Sequence, residues 1–158
     1  MAAHNRTTAV VNTVMDEVLD VLSEISQGHD DLWLTSPKTV RRQGNPVADL
    51  GAARPALFVR VTGLSECNPG ITGTGDCKLT FQVACLGPLQ AEADHDVWDL
   101  EADVRRALQL DVTLGGLIKG GLFWTGSEVE VLAGAGGSNE SIAVATFAGT
   151  VFWGTDSP

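Results

Sequence analysis

The sequence predicts an α+β fold: a mostly antiparallel β-sheet with two helices packed on one face. Apolar residues recur at helical spacing in two segments, one near the N-terminus and one in the middle of the chain. Around them lie β-branched and aromatic runs, several of which alternate apolar and polar residues as half-buried strands do. The order is helix, strands, helix, strand, strand. Runs of strands split by a single helix favour helices gathered on one face of an antiparallel sheet.

The first helix is expected from about Asn5 to Ser26. Val10, Val11, Val14, Val18, Val21, Leu22 and Ile25 form its apolar stripe, and Asp16, Glu17, Asp20 and Glu24 hold much of the other face. Gly28 supplies the stop. "KTVRRQ" (38–43) is short and alternating and reads as an edge strand. "GNPVADLGAARP" (44–55) carries turn-forming residues and reads as a loop. "PALFVRVTGL" (55–64) is a stronger strand, and "ECNPGITGTGDC" (66–77) is expected to be a Gly-rich loop.

In "CKLTFQVACLG" (77–87), Leu79, Phe81, Val83 and Cys85 fall on one side of a strand of period two. The second helix is expected from about Ala91 to Leu108, with Val97, Leu100, Val104, Ala107 and Leu108 on one face. Asp94, Asp96 and Asp99 stand in its first turns and Arg105 and Arg106 in its last, placements that the helix dipole favours. Val104 and Leu108 should face the sheet, as should Phe81 and Val83 or their strand neighbours. "GLFWTGSEVEVLA" (121–133) and "SIAVATFAGTVFW" (141–153) are the final strands, joined by the hairpin loop "GAGGSNE" (134–140).

The 158 residues suit one domain over 1–158, with flexible ends at about 1–4 and 154–158. A hydrophobic share of 44%, with four Trp and five Phe, argues for a packed core rather than disorder. The apolar runs fall short of the roughly 18 residues that a membrane span needs. The N-terminal stretch lacks a charged region followed by an apolar one, so the chain is expected to be made and kept in a cytoplasm. The net charge is -10 and only ten residues are basic, which speaks against tight DNA binding, because Lys and Arg supply that affinity.

The three cysteines, Cys67, Cys77 and Cys85, match neither zinc-ligand spacing nor a dense disulfide scaffold. They read as small, partly buried side chains in a reducing compartment, with a Cys67–Cys77 bridge as the alternative.

The glycine-rich stretches invite a search for phosphate-binding loops. "GAGGSN" (134–139) is followed by a strand, whereas a dinucleotide fingerprint needs a helix there. "GITGTGDCK" (70–78) lacks the ending of a P-loop. His4, His29 and His95 share no zinc-pair spacing and read as surface residues. Ser65 has Gly63 two residues before it but Cys67 two residues after it, where a nucleophile elbow needs a second Gly. Asp94, His95 and Asp96 have the composition of an acid–base cluster, but at a helix start a capping role suffices. No catalytic, cofactor-binding or metal-binding set converges, so a non-enzyme is expected.

A further glycine-rich stretch, "DVRRALQLDVTLGGLIKG" (103–120), closes the second helix and precedes the final strand pair, which ends in the aromatic "TFAGTVFW" (146–153). In this phrase, its position and the order of elements from the first helix to Trp153, the chain resembles the tail terminator (tail completion) family of long-tailed bacteriophages, the lambda-type minor tail proteins. It departs from that pattern in the Gly-rich loop 64–76, in "GAGGSNE", and in having Trp153 where relatives often have Tyr.

The resemblance implies a structural virion protein at the tail–neck junction. It implies a homo-hexameric ring that caps the tail tube, stops its polymerisation and offers the head-joining surface. Its partners would be the tube protein and the head–tail connector proteins, with DNA passing the lumen without specific binding and no membrane involved. The alternatives are another neck component, such as a head-closure protein, and a small α+β hydrolase or ligand-binding domain. On this reading Gly115, Gly116, Gly120 and Gly121 are connector glycines that redirect the chain. Arg41 and Arg42 on the edge strand are the candidate subunit interface. Protection of a sheet edge from unwanted pairing is the competing role for these two.

Overall fold

The computed structural model describes residues 6–28, 32–42, 51–69, 75–88, 93–133 and 139–153; of residues 6–9, 66–69, 93, 94, 132, 133, 139 and 153 it describes the backbone alone. The elements run α1 (Arg6–Ser23), β1 (Thr39–Arg42), β2 (Ala56–Pro69), β3 (Gly75–Leu86), α2 (Ala93–Leu110), β4 (Lys119–Ala133) and β5 (Asn139–Trp153). They build a five-stranded sheet in the order β1-β2-β3-β5-β4, antiparallel except where β1 pairs parallel with β2. The fold is α+β, as the alternation of helical and strand periods predicts. No helix among the described residues is long and apolar enough to cross a membrane.

Both helices pack on one face. Val11, Val14, Met15, Val18, Leu22 and Ile25 of the α1 segment join Val97, Leu100, Val104, Ala107 and Leu108 of α2 over Leu57, Val59, Leu79, Phe81, Val83, Ala145, Phe147 and Val151 of the sheet. Phe81 and Phe147, partners across β3 and β5, stack with centroids 5.5 Å apart. The apolar stripes foreseen in both helices therefore lie against the sheet, Val104 and Leu108 included.

α1 ends earlier than its apolar stripe, and the stripe continues through a tight turn in which Ile25 N–H donates to the Leu22 carbonyl. Gly28, with φ 86°, follows that turn. α2 runs two residues beyond the expected Leu108.

The segments 66–77 and 134–140 read as loops, but the structure corrects both at their ends. β2 continues to Pro69 and β3 begins at Gly75, so Glu66–Pro69 and Gly75–Cys77 are paired strand; Asn139 and Glu140 likewise open β5. Gly, Pro and Asn are poor strand formers alone, but a ladder already in register extends across them because each added pair satisfies backbone groups. Residues 70–74 and 134–138 lie outside the described residues.

One end of the sheet is buried on both sides. Ala56, Phe58, Ala84, Leu86, Ile142 and Val144 form a second apolar cluster on the face away from the helices. The runs Ala56–Val59, Val83–Leu86 and Ile142–Ala145 carry no polar residue and are set side by side by the strand register. Unbroken apolar runs mark strands covered on both faces. Beside this cluster Arg54 forms a bidentate ion pair with Glu140, and its Nη1 also donates to the Gly87 carbonyl at 3.1 Å.

Candidate assembly edges and the glycine connector

β1 is the outermost strand on one side, as expected for "KTVRRQ". Its entry is tied down by Lys38 N–H donating to the Pro55 carbonyl (2.8 Å) and by the Thr39 hydroxyl donating to the Ala53 carbonyl (2.8 Å). Arg41 and Arg42 are exposed and leave the strand on opposite faces, as neighbours in a strand do. The Arg41 guanidinium lies 5.7 Å from the Phe58 ring centroid, on the face without helices. Arg42 donates to Asn12 Oδ1 of α1 at 2.7 Å, on the helical face. Each arginine therefore has a local tether and still presents positive charge along the edge.

The opposite edge is β4, whose outer side pairs with nothing among the described residues. It alternates Glu128, Val129, Glu130 and Val131, with Val129 and Val131 exposed on the helical face and the glutamates on the other. A closed set of contacts binds this edge to α2. Trp124 Nε1 donates to Ser127 Oγ (3.0 Å), Ser127 donates to Glu101 Oε1 (2.7 Å), Arg105 Nε donates to the same oxygen (2.6 Å), and the Arg105 guanidinium sits 4.7 Å from the Trp124 ring. Glu101 is buried, and these donors offset the cost of holding a carboxylate there. Burial, with the Glu101 charge added, pushes the nearby Cys85 thiol far above its usual range, which leaves it inert.

The connector glycines sit where the backbone requires them. Gly115, Gly116, Gly120 and Gly121 have φ of 69°, 88°, 77° and 95°. Leu114, at φ 48°, takes the same left-handed conformation with a side chain, and it is held there by burial in the core. Asp111 organises the turn: its carboxylate accepts from the Thr113 hydroxyl (2.7 Å), Thr113 N–H (3.1 Å) and Gly115 N–H (2.8 Å). The Thr113 hydroxyl, followed by the Gly115 N–H, holds the Asp111 carboxyl below the usual carboxylate range. The Gly116, Ile118 and Leu122 N–H groups donate to Thr113 Oγ1, the Thr113 carbonyl and the Val112 carbonyl. The N–H groups of Thr113, Gly115, Gly116, Ile118 and Leu122 are thus already committed within the turn.

His95, Asp96 and Asp99 form the one group of three potential ligands found among the described residues, with ligand atoms within 4.8 Å of one another. His95 Nδ1 lies 3.5 Å from Asp96 Oδ1 and 3.6 Å from Asp99 Oδ2. The group is on the exposed first turns of α2, where the helix dipole favours the acids and opposes a bound cation. His4 and His29 lie outside the described residues, as does the side chain of Asp94.

Sequence reasoning missed Asp103. Its side chain is fully buried and gathers Leu34 N–H (3.0 Å), Thr35 N–H (2.8 Å) and the Thr35 hydroxyl (2.6 Å). Arg106 adds a bond from Nη1 to the Leu32 carbonyl at 2.5 Å. Together they fasten the segment before β1 to α2. The available signal was an acid bordering the apolar stripe of Leu100, Val104 and Ala107.

No protein-family model and no curated protein matches the chain.

Proposed function

We propose that the protein is a tail terminator: a structural subunit that closes into a ring on the end of a phage tail tube, stops tube growth and presents the head-joining surface. The single observation that carries this reading is a sheet open at two chemically different edges. β1 offers Arg41 and Arg42, and β4 offers Glu128, Glu130, Val129 and Val131. A closed ring needs heterologous contacts, in which one patch of each subunit meets a different patch on the next. Edges of opposite charge meet that requirement and disfavour like-to-like pairing. β1 runs antiparallel to β4 within the sheet, so a neighbour brought round by rotation presents its β1 to β4 in the antiparallel sense.

The connector supports the same reading, since its turn is built for redirecting the chain. The resemblance of the whole element order, with "TLGG" between α2 and the final strand pair, supplies the remaining support. A charge of -10 on each subunit, multiplied around a ring, suits a channel that DNA traverses without sticking.

Oligomer mass by native mass spectrometry, with and without tube protein, tests the ring. Six copies are expected, at least on the tube, and the double variant Arg41→Glu, Arg42→Glu should weaken closure. A wild-type ring yield from that variant rejects the β1 contact alone. Tails of normal length, joined to heads, from phage lacking the gene would reject the terminator reading itself; headless tails of excessive length are expected.

A further inference from the structure

The two outer strands carry matching patterns on their two faces. In β1, Val40 pairs with Leu57 and packs against the core under the helices, while Arg41 pairs with Phe58 of the cluster on the other face. In β4, Ser127 and Val129 pair with Ala145 and Ala143 of that core, while Glu128 and Glu130 pair with Val144 and Ile142 of the other cluster. Arg41 and the two glutamates therefore share one face, and Val40 and Val129 share the opposite one. Val129 is 50% exposed, an apolar side chain on an edge strand. We infer that β1 of one subunit joins β4 of the next in a single register, with Arg41 opposite Glu128 and Val40 opposite Val129, so that one sheet continues from subunit to subunit. This seam rests on the proposed ring and fixes how its subunits meet.

Successive side chains of a strand point to opposite faces, so a slip of one residue would set Arg41 against Val129 and Val40 against Glu128. In a sheet continued by rotation the helices of every subunit lie on the same side, so the allowed registers are two residues apart. Two of these put Arg41 opposite a glutamate. Glu130 already answers Arg60 within its own subunit, with 3.6 Å between Arg60 Nη2 and Glu130 Oε1. Glu128 is exposed and is the glutamate that meets the neighbour.

The four residues of β1 then oppose Ser127–Glu130 of β4: Thr39 meets Glu130, Val40 meets Val129, Arg41 meets Glu128 and Arg42 meets Ser127. Directly opposed side chains on antiparallel strands have Cβ atoms about 4.5–5.5 Å apart, close enough for the charge pair to form and for Val40 to cover Val129. Outward backbone N–H and C=O groups of both edges gain partners in the same step.

The test is native mass spectrometry of the full chain at one protein concentration, with and without tube protein. Arg41→Glu and Glu128→Arg each set like charges across the seam and should weaken it by roughly fivefold. A ring has this seam at every joint, so the ring mass should be lost in both. Arg41 and Glu128 are exposed, so the unfolding midpoints of these two variants should stay close to the parent's. The swap Arg41→Glu with Glu128→Arg should bring the ring back, whereas Arg41→Glu with Glu130→Arg should not. Val129→Asp probes the other face and should abolish the ring. A swap that fails to restore the ring, restoration by the Glu130 version, or a wild-type ring yield from Val129→Asp would overturn the register and leave the ring standing. A parent chain that stays monomeric with and without tube protein would remove ring and seam together.

Discussion

Asp103 should be the most sensitive polar residue in the molecule. Replacing it by Ala removes the acceptor of two backbone N–H groups, from Leu34 and Thr35, and of the Thr35 hydroxyl. Hydrogen bonds to a charged acceptor contribute about 1.5–3 kcal/mol each, and three of them set an upper range of about 4.5–9 kcal/mol. Leu34 is 49% exposed, so water replaces part of what is lost. A loss of about 3 kcal/mol is expected, equivalent to a drop in Tm of roughly 6–12 °C for a chain of this size.

Asp103→Asn keeps one carbonyl acceptor but turns an NH2 group towards donors, and about half that loss is expected. Urea unfolding, with the m-value held constant, measures both. A double-mutant cycle with Thr35→Val should return a coupling of about 1 kcal/mol or more. Losses below about 0.5 kcal/mol for both Asp103 variants, or a cycle that closes to zero, would refute the idea that this carboxylate fastens the 32–36 segment to α2.

Three more outcomes are expected. Leu108→Ala should cost ~2–5 kcal/mol, since its side chain is buried in the core between α2 and the sheet; a denaturant melt showing less than about 0.5 kcal/mol would reverse the assigned helix phase. Gly121→Ala should destabilise by about 1–2 kcal/mol, because φ is 95° and an added Cβ would sit 3.3 Å from Val112 Cγ2. Gly63→Ala, where nothing lies within 4 Å, should be neutral or better; equal losses at both sites would remove the backbone explanation. The Asp111 carboxyl titrates lower in the folded state than in the unfolded one, so its contribution is fully present above the unfolded value of about 3.9 and is lost as pH falls through the lower folded value. The stability gap between wild type and Asp111→Asn should therefore be flat from pH 8 to 5 and shrink below 4. A gap that closes between pH 8 and 6 would point to a different group.

The amino-acid order alone determined the layers of this molecule. Helical spacing of Val14, Val18 and Leu22, and of Leu100, Val104 and Leu108, set which side of each helix is buried, because an apolar stripe has no stable place except against another apolar surface. Alternation in Leu79, Phe81 and Val83 did the same for the central strand. The connector glycines were legible too, since positive φ is a local demand that glycine meets without strain. Other features depended on partners distant in sequence. Only the tertiary structure decided that β5 lies between β3 and β4, leaving β4 as the second open edge. It alone carried the ladder through Glu66–Pro69 and Gly75–Cys77, segments whose composition favours a loop. Asp103 and Thr35 are 68 positions apart, and neither residue signals the other until α2 has packed on the sheet and brought the 32–36 segment beside it. Local chemistry is written in spacing, whereas strand order, ladder length and a buried acceptor's donors are settled by which surfaces meet.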